Sequence, residues 1–353
     1  MQNFCYEYIN SFVSFFKKLG IKLLTCMKGD QMINSIENTT IVYHYCPIES
    51  LFSIISNQSL WLTSLSSSND QRELKIAEDV LQNSLKKITD KSNLKNPAEK
   101  LLNFSNSTQH SKTYQSNYEY YALSFVNEKD SLTHWERYGN QMHGVSIAFN
   151  INEIENLFSN LKFNKITHRW LRIVKVLYTL EEQIEYANEV ITTLLEDIFI
   201  TNDDGIDTLD DIYQITYNSL LATLKPIFKH KGFAGERECR LYFEAGEAEK
   251  LAGLLIENYN KDEQNNELLN ISNNITSCLL NAQLATHYKK YSLFGGSIRS
   301  YFALNLEKIW CSELIPEITL GPRCHQSKNE LRKFLDTYGL KKTEIKNSTI
   351  PIR

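Results

Sequence analysis

Glycine and proline are scarce in this chain, 13 and 6 of 353 residues. That excludes collagen-like, linker-rich and proline-rich low-complexity architectures. No cysteine pair has the C-x-x-C spacing. The seven cysteines, at 5, 26, 46, 239, 278, 311 and 324, are odd in number and scattered. A disulfide framework and a zinc ribbon are thereby disfavoured, and a reducing compartment fits. His44 and Cys46 would share a strand face, but no further ligands cluster with them, so no metal is expected. Charge of either sign is not in excess, with 38 basic against 42 acidic residues. Nothing basic enough for nucleic acid and no acidic tail is present. The dinucleotide fingerprint G-x-G-x-x-G, the phosphate loop G-x-x-x-x-G-K and the serine-hydrolase elbow G-x-S-x-G are all missing.

A long uninterrupted apolar run is also lacking. The richest stretch, residues 4–27, holds Phe12, Val13, Phe15, Phe16, Leu19, Ile21, Leu23 and Leu24, but Lys17, Lys18 and Lys22 break it. It is too short and too charged for a spanning helix, and it has no signal-peptide cleavage pattern. Residues 1–39 therefore read as an apolar helical extension. It either docks on the domain or lies on a membrane or partner, and docking is the favoured expectation. Localisation is expected to be cytoplasmic, or in the cytosol of a host or competitor cell after delivery.

What the chain does have is aromatic bulk, 19 Tyr and 17 Phe, in a pattern of strands with helices in blocks. Strands are expected at 41–45, 60–63, 120–126, 144–149 and 171–178, with later ones at 300–304, 317–320 and 342–345. Helices are expected at 48–57, from an Asn69 or Asp70 cap through 81, at 131–139, 150–161, 180–200, 208–229 and 326–338. Pro226 should end or kink the helix it falls in. Residues 92–118 are polar and read as a connection, and 247–290 as a helical insertion. The fold class is α+β, with one domain over 40–353.

The most informative segment is 233–243, Phe-Ala-Gly-Glu-Arg-Glu-Cys-Arg-Leu-Tyr-Phe. As a strand it aligns Glu236, Glu238 and Arg240 on one face and turns Arg237, Cys239 and Leu241 to the other. Two acids about 7 Å apart need a positive group between them. Arg240 would make the cluster a structural ion pair; a substrate cation would make it an active site.

Many short elements in order resemble a bacterial family known only as the domain of unknown function 2971. They are Tyr43-His44-Tyr45, Leu60-Trp61-Leu62, Asn69-Asp70 with Glu73, Ser124-Phe125, Asp130-Ser131, Trp135, Tyr138-Gly139, Gly144-Val145 and Phe149. Glu236, Glu238 and Arg240, Gly321-Pro322 and the terminal run from Ser348 complete the set. That family in turn is similar to the ADP-ribosyltransferases. The resemblance implies a mixed β-sheet core of their kind, with NAD as substrate and a protein side chain, possibly arginine, as acceptor. The role of a bacterial toxin, effector or defence protein goes with it. It implies His44 on the first strand as a ribose contact, with Tyr43, Tyr45 and Trp61 available to stack on the nucleotide. Trp61, Thr63 or Ser124 would fill the middle position. Glu238 would stabilise the oxocarbenium-like ribose, Glu236 would orient the acceptor, and Arg240 would hold Glu238 or a phosphate. An NAD glycohydrolase and a non-catalytic binding module are the alternatives.

Overall fold

The computed structural model describes residues 40–65, 73–89, 94–108, 119–159, 171–196, 210–246, 249, 252–253, 256, 266–294 and 296–351. The expected N-terminal helix and the Asn69 or Asp70 cap lie outside them.

Ten strands form one sheet: β1 (Ile41–Cys46), β2 (Ser59–Ser64), β3 (Glu119–Val126), β4 (Val145–Asn150), β5 (Leu171–Lys175), β6 (Glu238–Ala245), β7 (Lys290–Phe294), β8 (Ser297–Asn305), β9 (Glu317–Leu320) and β10 (Glu344–Asn347). The helices are α1 (Ile48–Asn57), α2 (Glu73–Ile88), α3 (Lys95–Thr108), α4 (Leu132–Arg137), α5 (Ile151–Ser159), α6 (Leu180–Leu195), α7 (Asp210–Leu224), α8 (Asn266–Ala282) and α9 (Lys328–Thr337). The α+β expectation is met by a sheet that is antiparallel except for the β9–β10 pair.

The main path runs β10-β9-β4-β1-β3-β2-β8-β7, and it branches at β3. One edge of β3 pairs along its whole length with β6, from Glu119↔Ala245 to Val126↔Glu238. Its other edge is shared. Thr63 and Ser64 of β2 pair with Ala122 and Tyr121, while Tyr43 of β1 pairs with Val126. Strand alternation then sorts the side chains. One face carries Val42, Cys46, Leu60, Leu62, Tyr121, Phe125, Cys239, Leu241 and Phe243 into the larger core, where α8 adds Ile275 and Leu279. The other face carries Tyr120, Ala122, Val174 and Tyr242 against residues of α2, α3, α6 and α7, with Tyr45 and Val126 under Trp135 of α4.

Several elements depart from the sequence reading. Residues 95–108 form α3, because Ala98 and Leu101 supply a buried stripe within an otherwise polar stretch. The segment 247–290, read as wholly helical, gives way to strand at Lys290, the first residue of a β7–β8 hairpin. The helix before Pro226 stops at Leu224, as a following proline requires. No described helix is long and apolar enough to cross a membrane.

Candidate functional site

β6 is buried along its whole length, flanked by β3 and β5, yet every second residue is polar or charged: Glu238, Arg240, Tyr242, Glu244. The apolar partners of the pattern, Cys239, Leu241 and Phe243, face the larger core. The charged row therefore lies beneath the helices of the opposite face, where each ion must find a partner.

Glu238 finds four. Its Oε1 accepts from Arg240 Nε at 2.6 Å and from the Ser124 hydroxyl. Its Oε2 accepts from Lys229 Nζ at 2.9 Å and from the second arm of Arg240 at 3.0 Å. A carboxylate has about four acceptor positions, so Glu238 is saturated. Burial alone would raise its pKa; Arg240 first, then Lys229 and Ser124, outweigh that and hold it at about 2. The Glu238 backbone N–H donates to the Tyr178 hydroxyl at 2.9 Å, and Arg240 also donates to the Pro226 carbonyl at 3.1 Å.

Glu236 is not on the strand. The expectation that it shares the strand face with Glu238 is corrected by a 3-10 turn over Lys231–Glu236, closed by Arg237 at φ 44°. The period of such a turn is three residues, which a two-residue alternation does not register. The turn still brings the acids together, through a residue outside the motif. Lys229 Nζ donates to Glu236 Oε2 at 2.6 Å while bonding Glu238. It is the positive group that the spacing demanded. Burial would lower its pKa, but Glu238 and Glu236 more than offset that and raise it, so the ammonium stays charged and is no nucleophile.

On its outer side Glu236 accepts from the Tyr138 hydroxyl at 2.6 Å, and Arg137 lies 3.9 Å away. Burial, then Glu236, raises the Tyr138 pKa. Both residues come from the end of α4. The same helix sends His134 inward, where its Nε2–H donates to the Glu236 carbonyl at 3.0 Å. The His134 ring stacks on Tyr45, and its Nδ1 has no partner. His134 and Lys229 were missed by sequence reasoning. Trp135 and Tyr138 stand among the matching elements of the resemblance, but neither signals that His134 rather than His44 meets the acids.

Alternation places His44 on the opposite face. Its ring meets Phe125 edge-on, and its Nδ1–H donates to the Ser124 carbonyl at 3.0 Å. Burial lowers its pKa. The anticipated convergence of the imidazole at 44 and the carboxylate at 238 on one sugar is therefore not met, because the sheet lies between them. Tyr43, Tyr45, Trp61, Thr63 and Ser124 do share the face of Glu238, but only Ser124 bonds it. Tyr45 bonds the Glu128 carbonyl and the Ser131 N–H, and Trp61 stacks on Tyr301 at 4.2 Å. Thr63 bonds the Ala122 carbonyl at 3.4 Å. Tyr43 lines a separate cleft of about 460 Å³ with Ile41, Ala148, Glu317 and Glu344. Among the described residues no group of three metal ligands occurs.

A family model described as "Protein of unknown function (DUF2971)" matches residues 134–241, less than a third of the chain. That span holds His134, Tyr138, Lys229, Glu236, Glu238 and Arg240, and leaves out His44 and Ser124. No curated protein and no solved structure matches the chain.

Proposed function

We propose that this chain transfers ADP-ribose from NAD, with Glu236 rather than Glu238 as the carboxylate that meets the substrate. One observation carries this reading. Glu236 accepts two hydrogen bonds, from Tyr138 and Lys229, and its side chain, 9 % exposed against 3 % for Glu238, lies 3.9 Å from the exposed Arg137, whereas every position on Glu238 is taken. As the C1′–nitrogen bond of NAD breaks, nicotinamide leaves with the bonding pair and the ribose becomes oxocarbenium-like. A fixed anion beside that ribose stabilises it, at a typical value of about 100-fold in rate or more. Lys229 and Tyr138 hold Glu236 in place, and Glu238 anchors Lys229. Arg137 is placed to meet a phosphate. The acceptor is a protein side chain, or water in the hydrolytic variant of the same chemistry. His44 has no part in it.

A second reading, a non-catalytic ligand- or partner-binding module, is favoured by the saturation and burial of Glu238. Incubating the pure protein with labelled NAD and a cell lysate separates the two. Transfer to a protein band, or release of ADP-ribose, assayed well below the lowered melting temperature that loss of the Lys229 pair should bring, should fall at least 100-fold in Glu236→Gln and should persist in His44→Ala. Full turnover by Glu236→Gln, or a wild-type protein that neither consumes nor binds NAD, overturns the proposal.

A further inference from the structure

The helix that brings His134 and Tyr138 to Glu236 has only six residues, and its N-cap, Ser131, makes no side-chain capping bond. So short a helix cannot stand by itself. What fixes it on the side away from Glu236 is the end of the chain. Asp130 Oδ1 accepts from the Trp135 indole at 2.7 Å and from the Ser348 hydroxyl at 2.6 Å. Its Oδ2 accepts from the Thr349 N–H at 2.7 Å and the Thr349 hydroxyl at 2.8 Å. Three of the four bonds to this carboxylate come from two consecutive residues of the carboxy-terminal strap and the fourth from Trp135 of α4, so Asp130 ties one to the other. Ile350 packs on the cluster of Tyr45, Val126, Trp135 and Met142, and Ser348 N–H donates to the Leu320 carbonyl at 2.8 Å, continuing from β10.

We infer that the strap after β10 and its pin, Asp130, position α4, so that the chain end controls how Tyr138 and His134 hold Glu236. α4 lies between two sets of bonds. On one side are Asp130, Ser348 and Thr349; on the other are the Glu236 carbonyl and carboxylate. Trp135 is fully buried between them and bonded to Asp130, so it transmits any shift of the strap to the residues on either side of it in the helix. Asp130 and Thr349 are positioning residues, since neither touches Glu236. Thr349 is exposed, so the latch can be reached from solvent. The consequence for turnover rests on the function proposed above; the coupling of strap to helix rests on geometry alone.

Hydrogen exchange on three proteins tests it: the full chain, a chain ending at Asn347, and the full-length double variant Ser348→Ala with Thr349→Val. In both altered proteins the amides of Trp135, Tyr138 and Met142 should exchange at least 10-fold faster, while the ladder amides of β2, β6 and β8 keep their rates. A synthetic peptide of residues 347–353 added to the truncated chain should restore protection. Where wild-type NAD turnover is measurable, the double variant should lose kcat and keep KM. Unchanged exchange in α4, an equal rise across the whole sheet, or a peptide that binds without restoring protection overturns the inference. The full-length variant keeps the test open should the truncated chain fail to fold. A wild-type protein without NAD turnover would sink the functional proposal and leave the exchange result to decide this one.

Discussion

Replacing Glu238 with glutamine keeps its shape and removes its charge, which leaves Arg240 and Lys229 in the protein interior without their common counter-ion. A carboxyl held at about 2 instead of the ordinary 4.5 favours its anion by about 3 kcal/mol, at 1.36 kcal/mol for each tenfold change in acidity. Breaking a buried pair by removing one partner costs about 3–5 kcal/mol, so two independent routes agree. Solvent screening does not reduce this, since the Glu238 side chain is only 3 % exposed. The expected fall in melting temperature is roughly 4–7 °C, from an unfolding entropy of about 2.1 cal/mol/K per residue over 353 residues. Urea unfolding gives the free energy directly, and the double variant with Arg240→Met should lose less than the sum of the two singles. The pH dependence has a definite sign. The folded pKa is depressed, so this stabilisation is fully present above pH 4.5 and is lost as pH falls from there towards 2. Glu238→Gln should flatten that acid limb. A loss below about 1 kcal/mol, with the acid limb intact, would refute the claim that Glu238 is the anchor of the cluster.

Tyr138→Phe removes one bond to a carboxylate on a partly exposed phenol, which should cost about 1 kcal/mol in urea unfolding. Because the Tyr138 hydroxyl titrates above the ordinary tyrosine range, the same variant should lose a late component of the alkaline absorbance titration. At Gly144 a Cβ would be driven into the Cys46 carbonyl oxygen and would meet the Gly139 carbonyl oxygen at 2.9 Å. Both obstacles are backbone, so Gly144→Ala should cost roughly 3 kcal/mol, the upper end for overpacking, read as a lower urea midpoint. Leu293 and Ile298 are 72 % and 74 % exposed on the β7–β8 hairpin, and they sit opposite each other across it. Leu293→Glu with Ile298→Lys should change stability by less than about 0.5 kcal/mol. Any self-association seen by sedimentation should fall in that variant.

The sequence disclosed the strands and the acids more readily than the faces they occupy. Alternation over 238–245 reads correctly once the strand begins at Glu238; beginning it at Phe233 hides a 3-10 turn that only the left-handed Arg237 betrays. The need for a cation between Glu236 and Glu238 follows from Coulomb's law, and the spacing poses it openly. Its answer, Lys229, lies in the stretch between α7 and the turn, next to the Leu177↔Phe228 bridge, where no period reports it. His44 shows the limit of order along a chain. A histidine on the first strand and an acid on a later one say nothing of the register between them. Here Tyr43↔Val126 and Val126↔Glu238 fix that register so that the neighbours of His44 face Glu238 and His44 does not. Similarly, Asp130 and Ser348 lie 218 residues apart, and nothing local links them.

The charge count at the cluster bears on the acceptor. Glu236 and Glu238 are matched by Lys229 and Arg240, so no negative charge is left over to draw in a cation. Arg137, 55 % exposed, adds positive charge at the rim, and Arg237, next to Glu236 in the chain, is paired with Glu128. Two neighbouring acids would suit an arginine as the modified side chain only if the place between them were open to a cation. With Lys229 already seated between them, a substrate guanidinium would have to displace an ammonium bonded to both acids. On the proposed reading the rim suits the NAD pyrophosphate and gives a cationic acceptor no advantage. A small guanidine such as arginine methyl ester should therefore accept ADP-ribose no better than water does. Lys229→Met should change that preference, because it opens a place for a cation between two carboxylates. Efficient modification of the ester by the wild-type protein would show that the lysine yields its place during turnover, and the assignment of Lys229 as a fixed holder of Glu236 would fall with it.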